Sequence, residues 1–146
     1  MQFQHFVESL AAKFSLPPPA SIERCEFLFD GLSVELAPHA SGTDAVVKAV
    51  LGQLGTDDFQ DRFEELLVAN LFSNPTGEGV IGVEASGMAV ITFHIPYRDT
   101  DPADAAAMLS RFASHALHWH KKIKSHIAAS AYRQSPALEE ASHTRV

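Results

Sequence analysis

Several residue groups in this sequence have types and spacings that could do chemistry. Gly77-Glu78-Gly79-Val80-Ile81-Gly82 spells G-x-G-x-x-G. A dinucleotide site needs those glycines between a strand and a following helix, whose N-terminus faces the pyrophosphate. Here a helical pattern precedes the motif and a β-branched one follows it, so the order is reversed and the glycines read as a connection into a strand. His115 and His118 lie three apart and could share a metal on one helix face, with His120 and His126 nearby. There is no H-E-x-x-H spacing and no carboxylate in the cluster. Lys121, Lys122 and Lys124 stand among the histidines, as suits a solvated face near the negative end of a helix dipole.

The remaining candidates also have structural accounts. Cys25 is in phase with Phe27 and Phe29 of an alternating run, which suits a buried, inert thiol. Ser86 lacks the G-x-S-x-G elbow of a nucleophilic serine. Asp57, Asp58 and Asp61 surround a helix start, where acids offset exposed amides and the dipole. The expectation is a protein that is not an enzyme and has no metal or cofactor. A metal hydrolase using His115 and His118 is the rival from the enzyme class.

Phe3, Phe6, Val7, Leu10, Ala11 and Phe14 form a helical stripe. The run Pro17-Pro18-Pro19 closes it, because proline lacks the donor and pushes its predecessor to extended geometry. Residues 25–29 alternate as a strand, Asp30-Gly31 signals a type I′ hairpin, and Leu32, Val34 and Leu36 alternate beyond it. The polar turn 38–43 leads to a third strand over 45–54. A helix from Asp57-Asp58 places Phe59, Phe63, Leu66, Leu67 and Asn70 on one face and ends at Asn74-Pro75. Strands at 80–84 and 88–95 form a hairpin around Ser86-Gly87. The second of them is apolar on nearly both faces, so it should be covered twice. Asp101-Pro102 opens a last helix with the stripe Ala105, Met108, Leu109, Phe112, Ala116, Trp119 and Ile123. Its period fades near Ala131. The order α-β-β-β-α-β-β-α defines an α+β fold with antiparallel strands. A single domain over 1–130 and a mobile tail over 131–146 are expected.

The chain has 146 residues, 46% of them hydrophobic, enough for one domain with a sizeable core. No apolar stretch approaches a membrane span, and the N-terminus has no basic leader region, which points to a cytosolic protein without membrane insertion. The net charge of -7 argues against nucleic acid as a partner. That charge is polarised. Residues 1–110 hold sixteen acids against five bases, a net of -11, while residues 111–146 hold two against six, a net of +4. Ten of the aromatics are Phe, against one Trp and two Tyr. The Phe stripe of the first helix either closes the chain's own sheet or offers part of a groove to another chain.

Residues 66–123 carry a recognisable pattern. Leu66-Leu67-Val68-Ala69-Asn70-Leu71-Phe72 is followed by a Gly-rich link, then Val80-Ile81-Gly82-Val83-Glu84, Ser86-Gly87 and Ala89-Val90-Ile91-Thr92. Ile95-Pro96, Asp101, Leu109, Phe112, Ala116 and Trp119 come after. This resembles the CesT/Tir-chaperone family, the class I chaperones of bacterial type III secretion. The resemblance implies a homodimeric, ATP-independent chaperone of the bacterial cytoplasm that holds the N-terminal region of a secreted effector in extended form before export. It implies a two-fold interface at Phe63, Leu67, Asn70, Leu71, Val90 and Thr92. It also implies an effector groove made by Phe3, Phe6, Leu10, Phe14, Cys25, Phe27, Phe29, Val34 and Leu36. The His- and Lys-bearing end of the last helix lies beyond the family pattern, and export-machinery components are candidate partners for it. A related small α+β regulatory or scaffold module without an export role is the alternative reading.

Overall fold

The computed structural model describes residues 2–55, 59–72 and 79–133. The elements follow the expected order: α1 (Phe3–Lys13), β1 (Cys25–Phe29), β2 (Leu32–Pro38), β3 (Ala45–Gln53), α2 (Phe59–Phe72), β4 (Val80–Val83), β5 (Met88–Ile95) and α3 (Pro102–Arg133). The strands form one antiparallel sheet in the order β1-β2-β3-β5-β4. β1 and β4 are therefore its edges.

Alternation along each strand decides which face is core. Cys25 and Phe27, Leu32, Val34 and Leu36, Val47, Ala49 and Leu51, and Ile91, Phe93 and Ile95 are buried under the helices. The intervening residues, among them Glu26, Leu28, Ser33, Val50, Val80 and His94, are exposed. β5 thus differs from its expectation of double cover. Its helix-facing residues are buried, while Val90 and Thr92 on the other face are only half-buried in the single chain. α3 lies across the sheet, stacking Phe112 on Phe93 with centroids 4.8 Å apart. α1 lies beside α3 and closes the core through Phe3 and Phe6, which meet Tyr97 at 5.7 and 5.5 Å.

Local chemistry explains the punctuation. Asp30 and Gly31 both have positive φ, 49° and 83°, as a type I′ turn requires. α1 stops before the prolines: Ser15 turns left-handed at φ 56°, and the amides of Ser15 and Leu16 bond back to Ala12 and Ala11 at 3.1 and 2.9 Å. This is a Schellman closure with a serine where glycine is usual. β3 carries a bulge between Val50 and Gly52, against which Ile123 packs. The Asp57-Asp58 helix start and the Asn74-Pro75 stop lie outside the described residues. So do residues 134–146, whereas the helix itself runs to Arg133, past the fading of its period.

Candidate functional site: the open edge at β1

β1 pairs only with β2, and among the described residues no backbone hydrogen bond reaches its other side. Along Pro17-Pro18-Pro19 the neighbouring segment has carbonyls but no N–H to give, so it cannot pair with β1 as a full strand. These prolines instead form a wall. Together with Ala11, Leu16 and the strand residues Cys25, Glu26, Phe27 and Leu28, they line a pocket of about 310 Å³ alongside the free edge. Leu28 stands at its rim, 73% exposed, and Leu16 is 44% exposed. The Cys25 thiol donates to the Ser21 carbonyl at 3.0 Å, and burial pushes its pKa up, so it stays a neutral part of the floor. Phe14 packs against Phe27 at 6.1 Å and edge-on against Phe29 at 5.5 Å, stiffening the same wall.

The residues expected to form the effector groove divide here. Cys25 and Phe27 line the pocket, and Phe14 and Phe29 are half-buried beside it. Phe6, Leu10, Val34 and Leu36 have no exposed surface, and Phe3 is buried with them. They are corrected to core. The first helix turns its Phe stripe onto its own sheet, so those side chains have no area left for another chain. What sequence reasoning missed is the rim: Leu16, the prolines and Leu28. The prolines read only as a helix stop, and Leu28 stood out of phase with its apolar neighbours. Tyr97 was missed as well, although it continues the phase of Phe93 and Ile95. Its hydroxyl donates to the Gly42 carbonyl at 2.7 Å.

The other edge is covered. Asn70 of α2 donates to the Ile81 carbonyl at 2.6 Å and accepts from the Ile81 amide at 2.8 Å, occupying the place of a neighbouring strand. Of the residues expected at a two-fold interface, Phe63 and Leu67 are exposed, and Val90 and Thr92 are half-buried on the open sheet face. Asn70 is half-buried with its amide engaged inside its own chain, and the side chain of Leu71 lies outside the described residues. Val68 and Val80 add exposed apolar surface to this side. α2 is tied to α3 by Glu65, whose carboxylate pairs with Lys122 of α3 and also accepts from Arg62, one turn earlier in α2, at 2.7 Å. Burial opposes ionisation of Glu65, but those two cations outweigh it and hold its carboxyl below the usual range.

The histidine cluster has a different fate from the one its spacing suggested. His115 and His118 line an open depression with Ser114, Trp119 and Lys122, and that ammonium would repel a metal. Among the described residues no group of three metal-ligating side chains gathers anywhere. His120 turns inward, its Nδ1 2.9 Å from the Leu51 carbonyl that the β3 bulge releases. Of the G-x-G-x-x-G run, Gly77 and Glu78 lie outside the described residues. Gly79 is a packing glycine, since a Cβ there would sit 2.6 Å from Ile91 and 3.1 Å from Phe112. No helix among the described residues is long and apolar enough to cross a membrane.

An antiparallel sheet with α1 and α3 on one face, one edge covered by α2 and the other open, is an architecture suited to capturing an extended chain. The Tir chaperone protein (CesT) family model matches residues 5–120, and the chain belongs to that family. No curated protein matches the chain. Among solved structures, the fold is similar to a chain of the Yersinia pestis type III secretion chaperone SycH in complex with a stable fragment of YscM2. That match has a TM-score of 0.64 and 19% identity over 81% of this chain and 99% of the other. A chain of the ExoT–SpcS complex from Pseudomonas aeruginosa is similar at a TM-score of 0.62 and 18% identity, covering 80% and 95%. A chain of the HopA1–SchA chaperone–effector complex follows at 0.61 and 14%, covering 84% and 93%.

Proposed function

We propose that this protein is a type III secretion chaperone. It binds the N-terminal region of one or more effectors in extended form in the bacterial cytoplasm and keeps it soluble and export-competent without ATP and without catalysis. Membership of the CesT family across residues 5–120 carries this reading, and the open β1 edge supports it physically. An added strand would gain main-chain hydrogen bonds while its alternate apolar side chains enter the proline-walled pocket. Such binding must offset the ordering of the client, which a lone polar patch would not do. Chaperone–effector complexes among the structural neighbours agree with a client of that kind.

A homodimer is part of the proposal. Phe63, Leu67, Val68 and Val80 leave an apolar surface at the α2–β4 side, and a two-fold pairing there would leave both β1 edges free. One domain to about residue 130 with a short tail completes the reading. Light scattering of the purified protein, paired with capture of a client from the native bacterium, tests it. The expected result is a mass near twice 15.9 kDa and a captured secreted protein that Leu28→Asp fails to retain. A monomer at micromolar concentration, or undiminished capture by Leu28→Asp, would refute the dimer or the edge respectively.

A further inference from the structure

The outer face of β1 carries an electrostatic mismatch. Glu26 and Glu35 are directly opposed in the β1–β2 register, an arrangement that destabilises a sheet. Glu35 has a counterion, since Arg24 Nε lies 3.2 Å from its Oε1. Lys48 follows next in the same cross-strand row but turns to Glu84 at 3.3 Å. Glu26 has no ion pair among the described residues and is exposed. It also borders both the edge pocket and a second hollow of about 280 Å³ on the outer face, shared with Ser33, Glu35 and Lys48. Exposed Glu23 and Asp30 flank the strand.

We propose that the β1 edge selects client strands in which a Lys or Arg lies beside Glu26 on the outer face, flanked by apolar residues that enter the proline-walled pocket. This rests on the reading of β1 as the client edge and adds to it a chemical class of client. An incoming strand would extend the row that now begins at Glu26, and a cation in that place would neutralise the leftover carboxylate. An acid there would be the third consecutive carboxylate. Apolar residues on either side would point to the opposite face, towards Phe27 and Pro18, because side chains alternate along a strand.

The test uses the full-length protein and three synthetic peptides whose central residues alternate Leu with Lys, Leu with Glu, or Leu with Ser, followed by fluorescence anisotropy. The Lys peptide is expected to bind about tenfold more tightly than the Glu peptide at low salt, with the Ser peptide between them. Glu26→Lys should invert that order. Asp61→Asn, a charge change on α2 at the far edge of the sheet, should leave it intact. Equal affinity for all three peptides overturns the charge selection and leaves the edge reading standing. A Lys preference that survives Glu26→Lys also overturns it, since the whole acidic body would then be responsible. Failure of every peptide to bind, or binding only by splitting the dimer, overturns both readings.

Discussion

At one edge of the sheet Asn70 stands in for a missing strand; at the other, β1 has no partner and three prolines line the hollow beside it. Both edges face the same problem, a row of unsatisfied backbone groups that invites another chain. At β4 a side-chain amide meets both backbone groups of Ile81, and α2 lies over the strand. At β1 the adjacent segment is of the one residue type that cannot donate, and the pocket beside it is apolar. An edge left open in this way, next to a mainly apolar hollow with a rim as exposed as Leu28, is suited to a partner. The contrast locates function better than aromatic content does, because five of the eight described Phe side chains are core.

The largest effect separates the floor of that region from its rim. Phe6 is fully buried against Tyr97, so Phe6→Ala should cost about 3–5 kcal/mol in urea unfolding. Phe6→Glu should fail to fold. Leu28→Ala, two-thirds or more exposed in the parent, should change stability by no more than about 0.5 kcal/mol while weakening client capture. If Phe6→Ala were as mild as Leu28→Ala, α1 would be a detachable groove wall and the division between floor and rim would collapse.

Asn70→Ala tests the sealed edge. It strands the amide and carbonyl of Ile81, and a loss of about 2 kcal/mol is expected. It should also promote concentration-dependent association beyond that of the parent protein, read by light scattering, as the β4 edge becomes available. Unchanged stability would mean that water serves Ile81 as well as Asn70 does, and the two edges would then differ less than their geometry suggests.

Much of this contrast was hidden in the sequence. Element order, both hairpins and the helix stripes were legible because each rests on local periodicity or turn chemistry, such as the paired positive φ of Asp30-Gly31. The site was only half legible. Periodicity reports that Phe3, Phe6 and Phe14 share a face, but not whether that face meets its own sheet or a partner. Only the packing against Tyr97 and Phe27 decides it. Likewise the bonding of Asn70 to Ile81 and of His120 to Leu51 depends on long-range placement that no local pattern encodes.

A smaller effect concerns how the open edge is walled. Ser15 holds a left-handed conformation that costs an L-residue about 1 kcal/mol, and it aims the chain into the prolines. Ser15→Gly should raise stability by no more than about 0.5 kcal/mol, because the added freedom of the unfolded chain offsets most of the relieved strain. Peptide binding should be unaltered, since the turn keeps its shape. A weakened peptide affinity would show that the serine fixes the wall rather than merely tolerating the turn.

The smallest effect acts on the sealed edge through pH. The Glu65 carboxyl sits below its ordinary range because Lys122 and Arg62 outweigh the burial that opposes its charge. A depressed folded value means the contact stabilises fully above the ordinary carboxylate range and is lost as pH falls through the folded value. With about a third of the side chain exposed, screening limits it to a few tenths of a kcal/mol. The readout is therefore local: the hydrogen-exchange protection of the Ile81 amide, corrected for intrinsic exchange, should drop between pH 6 and about pH 3.5. Glu65→Gln should show the lower protection at both pH values. Protection at β2, remote from α2, should respond less. If Ile81 and the β2 amides lost protection together and Glu65→Gln did not remove the difference, the acid response would be global, and Glu65 would not be what holds α2 over the β4 edge.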